Sequence, residues 1–229
     1  MYKYLLWDVD GTVLDFLAAE KYAIRKLFEK YKIGECTDEM LKLYSVINEK
    51  YWQMLERKEL SKAEILVGRF REFVELINVD TSLSEAFNKD YQLAVGDCIV
   101  FINGAKEILL SEKGRYVLAA VTNGTRVAQE KKLKLSGLDK IFDDIFISEI
   151  VDFEKPDKAF FDFVLKKLEV TDKKEVLIIG DSLTSDILGG NNAGIDTCWY
   201  NPSHKKNQLD IPVTYETDNL LKIEKILDL

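Results

Sequence analysis

Asp8 and Asp10 stand two residues apart at the end of an apolar run, Leu5-Leu6-Trp7. In an extended strand, side chains two apart share a face, so both carboxylates would reach nearly the same place. Two like charges about 4 Å apart repel by roughly 4 kcal/mol at an effective dielectric near 20. The pair therefore needs a cation, a shared proton or open water. Three more polar groups follow apolar runs further along the chain. Thr122-Asn123-Gly124 supplies a hydroxyl, an amide and a glycine that opens a helix, whose free N–H groups suit an anion. Lys155-Pro156 places a cation in a stiff turn, and Gly180-Asp181-Ser182 is followed by Asp186 at the start of a helix. Asp8, Asp10 and Asp181 together make an all-oxygen set suited to a hard divalent ion, most simply Mg²⁺. Lys155 and Thr122 would hold an anion beside it, and aspartate can attack phosphorus. Taken singly, each group has an ordinary reading as a turn, a solvated loop or a helix cap. Together, all four fall at strand ends, where a sheet would gather them.

Those groups need a sheet to position them. Residues 116–121, 145–147, 176–179 and 197–200 read as short buried strands. They alternate with helical patterns over 127–135, 158–168 and 185–193, which implies a parallel sheet covered on both faces. The strand at 4–8 has no sheet near it in sequence, so the simplest solution adds it to the later one. Between them, residues 16–95 are helical throughout and free of proline, with Ala23, Leu27 and Tyr31 recurring at four-residue steps, as do Leu43, Ile47 and Tyr51. The expected architecture is α/β: a Rossmann-like core of residues 1–15 and 96–229, with an inserted bundle of about four helices as a cap over the Asp8/Asp10 site. In open α/β sheets ligands collect at the carboxyl ends of strands. Residues 218–229 read as a final amphipathic helix.

Composition removes several other chemistries. The chain has 229 residues, 47% of them hydrophobic, and a formal net charge of −8, a balance that disfavours nucleic acid as a partner. No run approaches a membrane span and the N-terminus leads directly into a strand, so a cytoplasmic location is expected, with no membrane partner. Cys36, Cys98 and Cys198 form no CxxC pair, which argues against a disulfide framework or structural zinc. The single histidine, His204, lies in a polar stretch, leaving little room for a Ser-His-Asp triad. A Walker A loop is absent, and Gly189 to Gly194 lacks the dinucleotide-binding spacing. Carboxylate chemistry remains.

Asp8-Val9-Asp10-Gly11-Thr12-Val13, Thr122-Asn123-Gly124, Lys155-Pro156 and Gly180-Asp181-Ser182 through Asp186, in that order, resemble the four motifs of the haloacid dehalogenase superfamily, and the 16–95 segment falls where that superfamily inserts its C1-type cap. The resemblance implies that Asp8 is the nucleophile and becomes an aspartyl phosphate, while Asp10 serves as acid and then base. Thr122 and Lys155 would bind the transferring phosphoryl group, aided by Asn123 and Gly124. Mg²⁺ would be held by Asp8, the Asp10 backbone carbonyl and Asp181, with Asp186 in its outer shell. Asp10 points to phosphoryl chemistry, because the dehalogenases themselves lack that second acid. Tyr51-Trp52, Gly68-Arg69-Phe70 and the stretch from Gly180 to Gly190 resemble the bacterial pyrimidine 5′-nucleotidases, which implies a nucleoside monophosphate as the partner molecule. Tyr51, Trp52 or Phe70 could stack on a base and Arg69 could pair with an anion or carbonyl, or the aromatics could simply pack the helical segment. Phosphatases of phosphoglycolate or sugar phosphates and sugar-phosphate mutases share the core motifs. A receiver-like phospho-acceptor module, the alternative from another class, lacks a helical insertion of this size.

Overall fold

The computed structural model describes residues 1–228. A six-stranded parallel sheet forms its centre, in the order β3-β2-β1-β4-β5-β6. The strands are β1 (Tyr4–Trp7), β2 (Val117–Thr122), β3 (Asp144–Ile147), β4 (Val176–Gly180), β5 (Asp196–Tyr200) and β6 (Tyr215–Thr217). The runs YLLW, VLAAVT and VLIIG are almost entirely buried, as strands covered on both faces must be. Leu5, Trp7, Leu118, Ala120, Leu177 and Ile179 face one apolar layer, and Leu6, Ala119, Val121 and Ile178 the other. The period of two is intact beneath uninterrupted hydrophobicity.

Register places the chemistry. Trp7 lies level with Ala120 of β2 and Ile179 of β4, so Asp8 emerges between the carboxyl ends of two neighbouring strands. The Asp8 N–H donates to the Ile179 carbonyl at 2.9 Å, which fixes that exit. Connections from β1 and β4 run to opposite sides of the sheet, making this its switch point.

The chain divides into two compact units, Met1–Asp15 with Ile99–Leu229, and Phe16–Cys98. The second contains α1 (Phe16–Tyr31), α2 (Asp38–Glu56), α3 (Lys62–Leu76) and α4 (Ser84–Val95). Thr37 caps α2, and Ser61 with Glu64 forms a reciprocal capping box on α3. The inner face of α2 runs through Leu41, Tyr44, Ile47, Asn48 and Leu55, not through Leu43 and Tyr51, which stay partly exposed. Tyr44 displaces Leu43 because its ring stacks on Phe70 at 5.1 Å and meets Tyr91 at 5.5 Å. Phe70 is itself fully buried among these rings, so the structure places it in the interior of the unit and not on a surface where a base could stack.

The first unit carries α5 (Ala105–Glu112), α6 (Arg126–Ser136), α7 (Ser148–Val151), α8 (Lys158–Lys167), α9 (Leu188–Ala193) and α10 (Ile223–Leu227). Neither α5 nor β6 belongs to the strand and helix alternation expected from sequence. The helix expected over 185–193 begins instead as one wide π-helical turn at Leu183–Ile187. There the Ser182 hydroxyl accepts from the Ser185 N–H, and Asp186 reaches back to accept from the Ser182 N–H at 3.1 Å. The final segment is a 3₁₀ turn at Leu220–Lys222 leading into α10, because the Asn219 side chain accepts from the Leu221 N–H and starts a tighter turn. Leu229 lies outside the described residues. Among the described residues no helix is long and apolar enough to cross a membrane.

Candidate active site

Asp8 is nearly buried, and both of its carboxylate oxygens have donors. Lys155 Nζ reaches Oδ1 at 2.7 Å, and Thr12 Oγ1 donates to Oδ2 at 3.1 Å. Together they fix the rotation of the carboxylate about its bond to the chain. Lys155 is equally buried and also donates to Asp186 Oδ1 at 2.6 Å and to the Val121 carbonyl at 2.9 Å. An ammonium has three protons, and all three are used.

Lys155 is held from both sides of its own peptide. The Asn123 amide donates to the Lys155 carbonyl at 2.7 Å, and its oxygen accepts from the Lys155 N–H at 2.8 Å. Asn123 therefore clamps the loop that carries Lys155. The Gly124 N–H donates to Thr122 Oγ1 at 3.0 Å, leaving the Thr122 hydroxyl proton free to donate elsewhere.

Asp181 follows β4, with its backbone carbonyl accepting from Trp199 Nε1 at 2.9 Å. One oxygen from each of Asp8, Asp181 and Asp186 falls within 4.8 Å of the others. Burial raises the Asp8 carboxyl to about 7, with the Asp186 and Asp10 charges adding to the rise and Lys155 opposing it. Burial likewise lifts Asp181 well above the usual carboxylate range, helped by the Asp8 and Asp186 charges. Desolvation works against the Lys155 ammonium, but Asp186 and Asp8 overcome it and the group is raised. One ammonium cannot neutralise three ionised carboxylates in a water-poor place, so protons or a cation must make up the difference, and hard oxygen donors so disposed fit a divalent cation.

Glycine keeps this cluster open. Gly11 adopts φ +95°, and a Cβ on it would stand 2.7 Å from an Asp181 carboxylate oxygen. At Gly180 a Cβ would stand 2.3 Å from the Asp186 carboxyl carbon. No side chain fits at either position without moving a carboxylate.

Asp10 departs from the expectation of one shared face. β1 ends at Trp7, so strand periodicity does not extend to Asp10. The Asp10 carboxylate bonds to α6, accepting from Gln129 Nε2 at 2.6 Å and forming an ion pair with Lys132. Each acid of the pair thus has its own lysine, Lys155 for Asp8 and Lys132 for Asp10. Sequence reasoning missed Thr12, Gln129 and Lys132. Three-residue spacing puts the last two on one face of α6, and the fold buries both beside Ala128 and Leu133. His204 is exposed, and all three cysteines are free thiols.

The profile of the haloacid dehalogenase-like hydrolases matches residues 5–200. The chain belongs to that family. Among haloacid dehalogenase-like proteins, it is 38% identical over 229 residues to the pyrimidine 5′-nucleotidase PynA of Streptococcus pneumoniae, covering 99% of this chain and 95% of that one. It is 31% identical over 225 residues to the pyrimidine 5′-nucleotidase YjjG of Escherichia coli, covering 98% and 97%. A crystal structure of YfnB from Bacillus subtilis bound to magnesium superimposes with a TM-score of 0.93 at 37% identity, covering 100% of this chain and 99% of that one.

Proposed function

We propose that the chain is a Mg²⁺-dependent phosphomonoester hydrolase that removes the 5′-phosphate from pyrimidine nucleoside monophosphates. The observation that carries the phosphatase reading is Asp8, a carboxylate oriented by Thr12 and Lys155 at the switch point of the sheet. An oxygen of Asp8 attacks phosphorus as the bond to the leaving oxygen breaks, and Asp10 gives that oxygen a proton. Asp10 then takes a proton from water, which attacks phosphorus; the bond to Asp8 breaks and the carboxylate is restored. Thr122 donates its free proton to a phosphoryl oxygen, and Lys155 offsets charge on Asp8 and on the phosphoryl group. Asp8, Asp181 and the Asp10 carbonyl, with Asp186 nearby, would hold Mg²⁺, which would supply further charge neutralisation.

Two full-length relatives named as pyrimidine 5′-nucleotidases support the choice of substrate. The test is phosphate release from UMP, dUMP, dTMP, phosphoglycolate and hexose phosphates, with Mg²⁺ and with EDTA. Pyrimidine monophosphates should lead, EDTA should abolish turnover, and Asp8→Asn should reduce it by at least about 10³-fold. A lead by phosphoglycolate or a hexose phosphate would overturn the substrate assignment alone. Failure to release phosphate from any of them would overturn the phosphatase itself.

A further inference from the structure

We propose that Lys132, with Gln129, is a positioning residue for Asp10, an inference that rests on Asp10 acting as the proton-transfer group of the phosphatase. Lys132 and Gln129 are each 1% exposed, although both belong to residue types normally found in water. Their common target is the Asp10 carboxylate, with Gln129 on Oδ2 and Lys132 on Oδ1. A carboxylate held at both oxygens by donors from one helix cannot rotate freely, and its direction is set by α6 and not by its own loop.

Two further observations separate this from ordinary packing. Gln129 Oε1 is buried without a hydrogen-bond partner, so the amide is committed to Asp10 through its nitrogen while its oxygen goes unsatisfied. A glutamine serving only the fold would not need to tolerate that cost. Gly124 clears the path to the acid, because a Cβ there would stand 2.0 Å from Gln129 Nε2. The glycine that closes the Thr122-Asn123-Gly124 turn therefore also sets where Asp10 points. A proton-transfer group misplaced by about 1 Å loses roughly 10²-fold in rate, and a residue that never touches substrate should act on kcat and leave KM alone.

The experiment compares wild type, Lys132→Met, Lys132→Arg and Gly124→Ala with UMP and Mg²⁺. Lys132→Met should lower kcat about 10²-fold with KM changed less than about twofold, and Lys132→Arg should recover most of the loss. Gly124→Ala, which acts through Gln129, should lower kcat in the same way. A thermal double-mutant cycle of Lys132→Met with Asp10→Asn should show a Tm loss in the pair clearly smaller than the sum of the two singles. An active wild type with an equally active Lys132→Met would overturn this proposal and leave the phosphatase standing. So would additive Tm losses, or an arginine variant as impaired as the methionine one. An inactive wild type would overturn both.

Discussion

Two regions of this molecule bury charge, and they balance it differently. In the helical unit, Glu20 is reached by the Asn48 amide at 2.8 Å and by Ser45, while Asn48 accepts from Arg69 at 2.6 Å. One acid and one base are joined through one amide, and the Arg69 guanidinium also lies 5.0 Å from the centre of the Tyr91 ring. At the strand ends, Asp8, Asp181 and Asp186 surround Lys155. The first cluster matches one negative charge with one positive. The second remains short of positive charge, and that shortfall marks it as a place for a cation and an anionic substrate.

The sharpest way to break the comparison is to unbalance the matched cluster. Arg69→Met should destabilise the protein by about 3–5 kcal/mol by leaving Glu20 buried without its counter-charge, and the double variant with Glu20→Leu should recover much of that. Urea unfolding of the three proteins would read this directly; a harmless Arg69→Met would show that the cluster is not balanced by Arg69. The reciprocal change crowds the open cluster. Gly180→Ala should lower phosphatase activity about 10²-fold by displacing Asp186, and with it Lys155, while costing about 1–3 kcal/mol in stability. Unchanged turnover would remove the close approach at Gly180 from the account of the site.

A smaller effect comes from protons. The raised Asp8 and Asp181 carboxyls bind protons more tightly in the folded chain than in the unfolded one. Their contribution to stability is therefore complete below the ordinary value of 3.8, and the part due to Asp8 is lost as pH rises through about 7. Mg²⁺ must displace those same protons. Its stabilising effect should be greater at pH 8 than at pH 5.5, reaching about 5–10 °C in Tm at a hundred times its dissociation constant. Thermal melts with Mg²⁺ and with EDTA at both pH values measure it, and an equal increment at the two would contradict the charge shortfall.

The sheet was legible because strands buried on both faces advertise themselves as continuous apolar runs, and the polar groups that follow Trp7, Val121 and Ile179 stand out against them. Partners contributed by register were harder to see. Lys132 lies in Lys131-Lys132-Leu133-Lys134, a run that reads as a solvated helix face until the β2–β1 pairing brings α6 to Asp10. Thr12 lies in the turn after Asp10, and its hydroxyl meets Asp8 only in the folded chain. In the helical unit, periodicity found the helices but misjudged one face, because Tyr44 and Leu43 are both apolar and the choice between them is made by the Phe70 ring.

Gly11, Gly124 and Gly180 carry no reactive atom, yet Gly11 and Gly180 border carboxylates of the site and Gly124 borders the glutamine that positions one. In a saturation library selected for growth on phosphatase activity, alanine at these positions should be depleted alongside changes to the acids themselves. A genetic map of the site would then be wider than its chemistry, and its extra positions would mark the space that the carboxylates and Gln129 require.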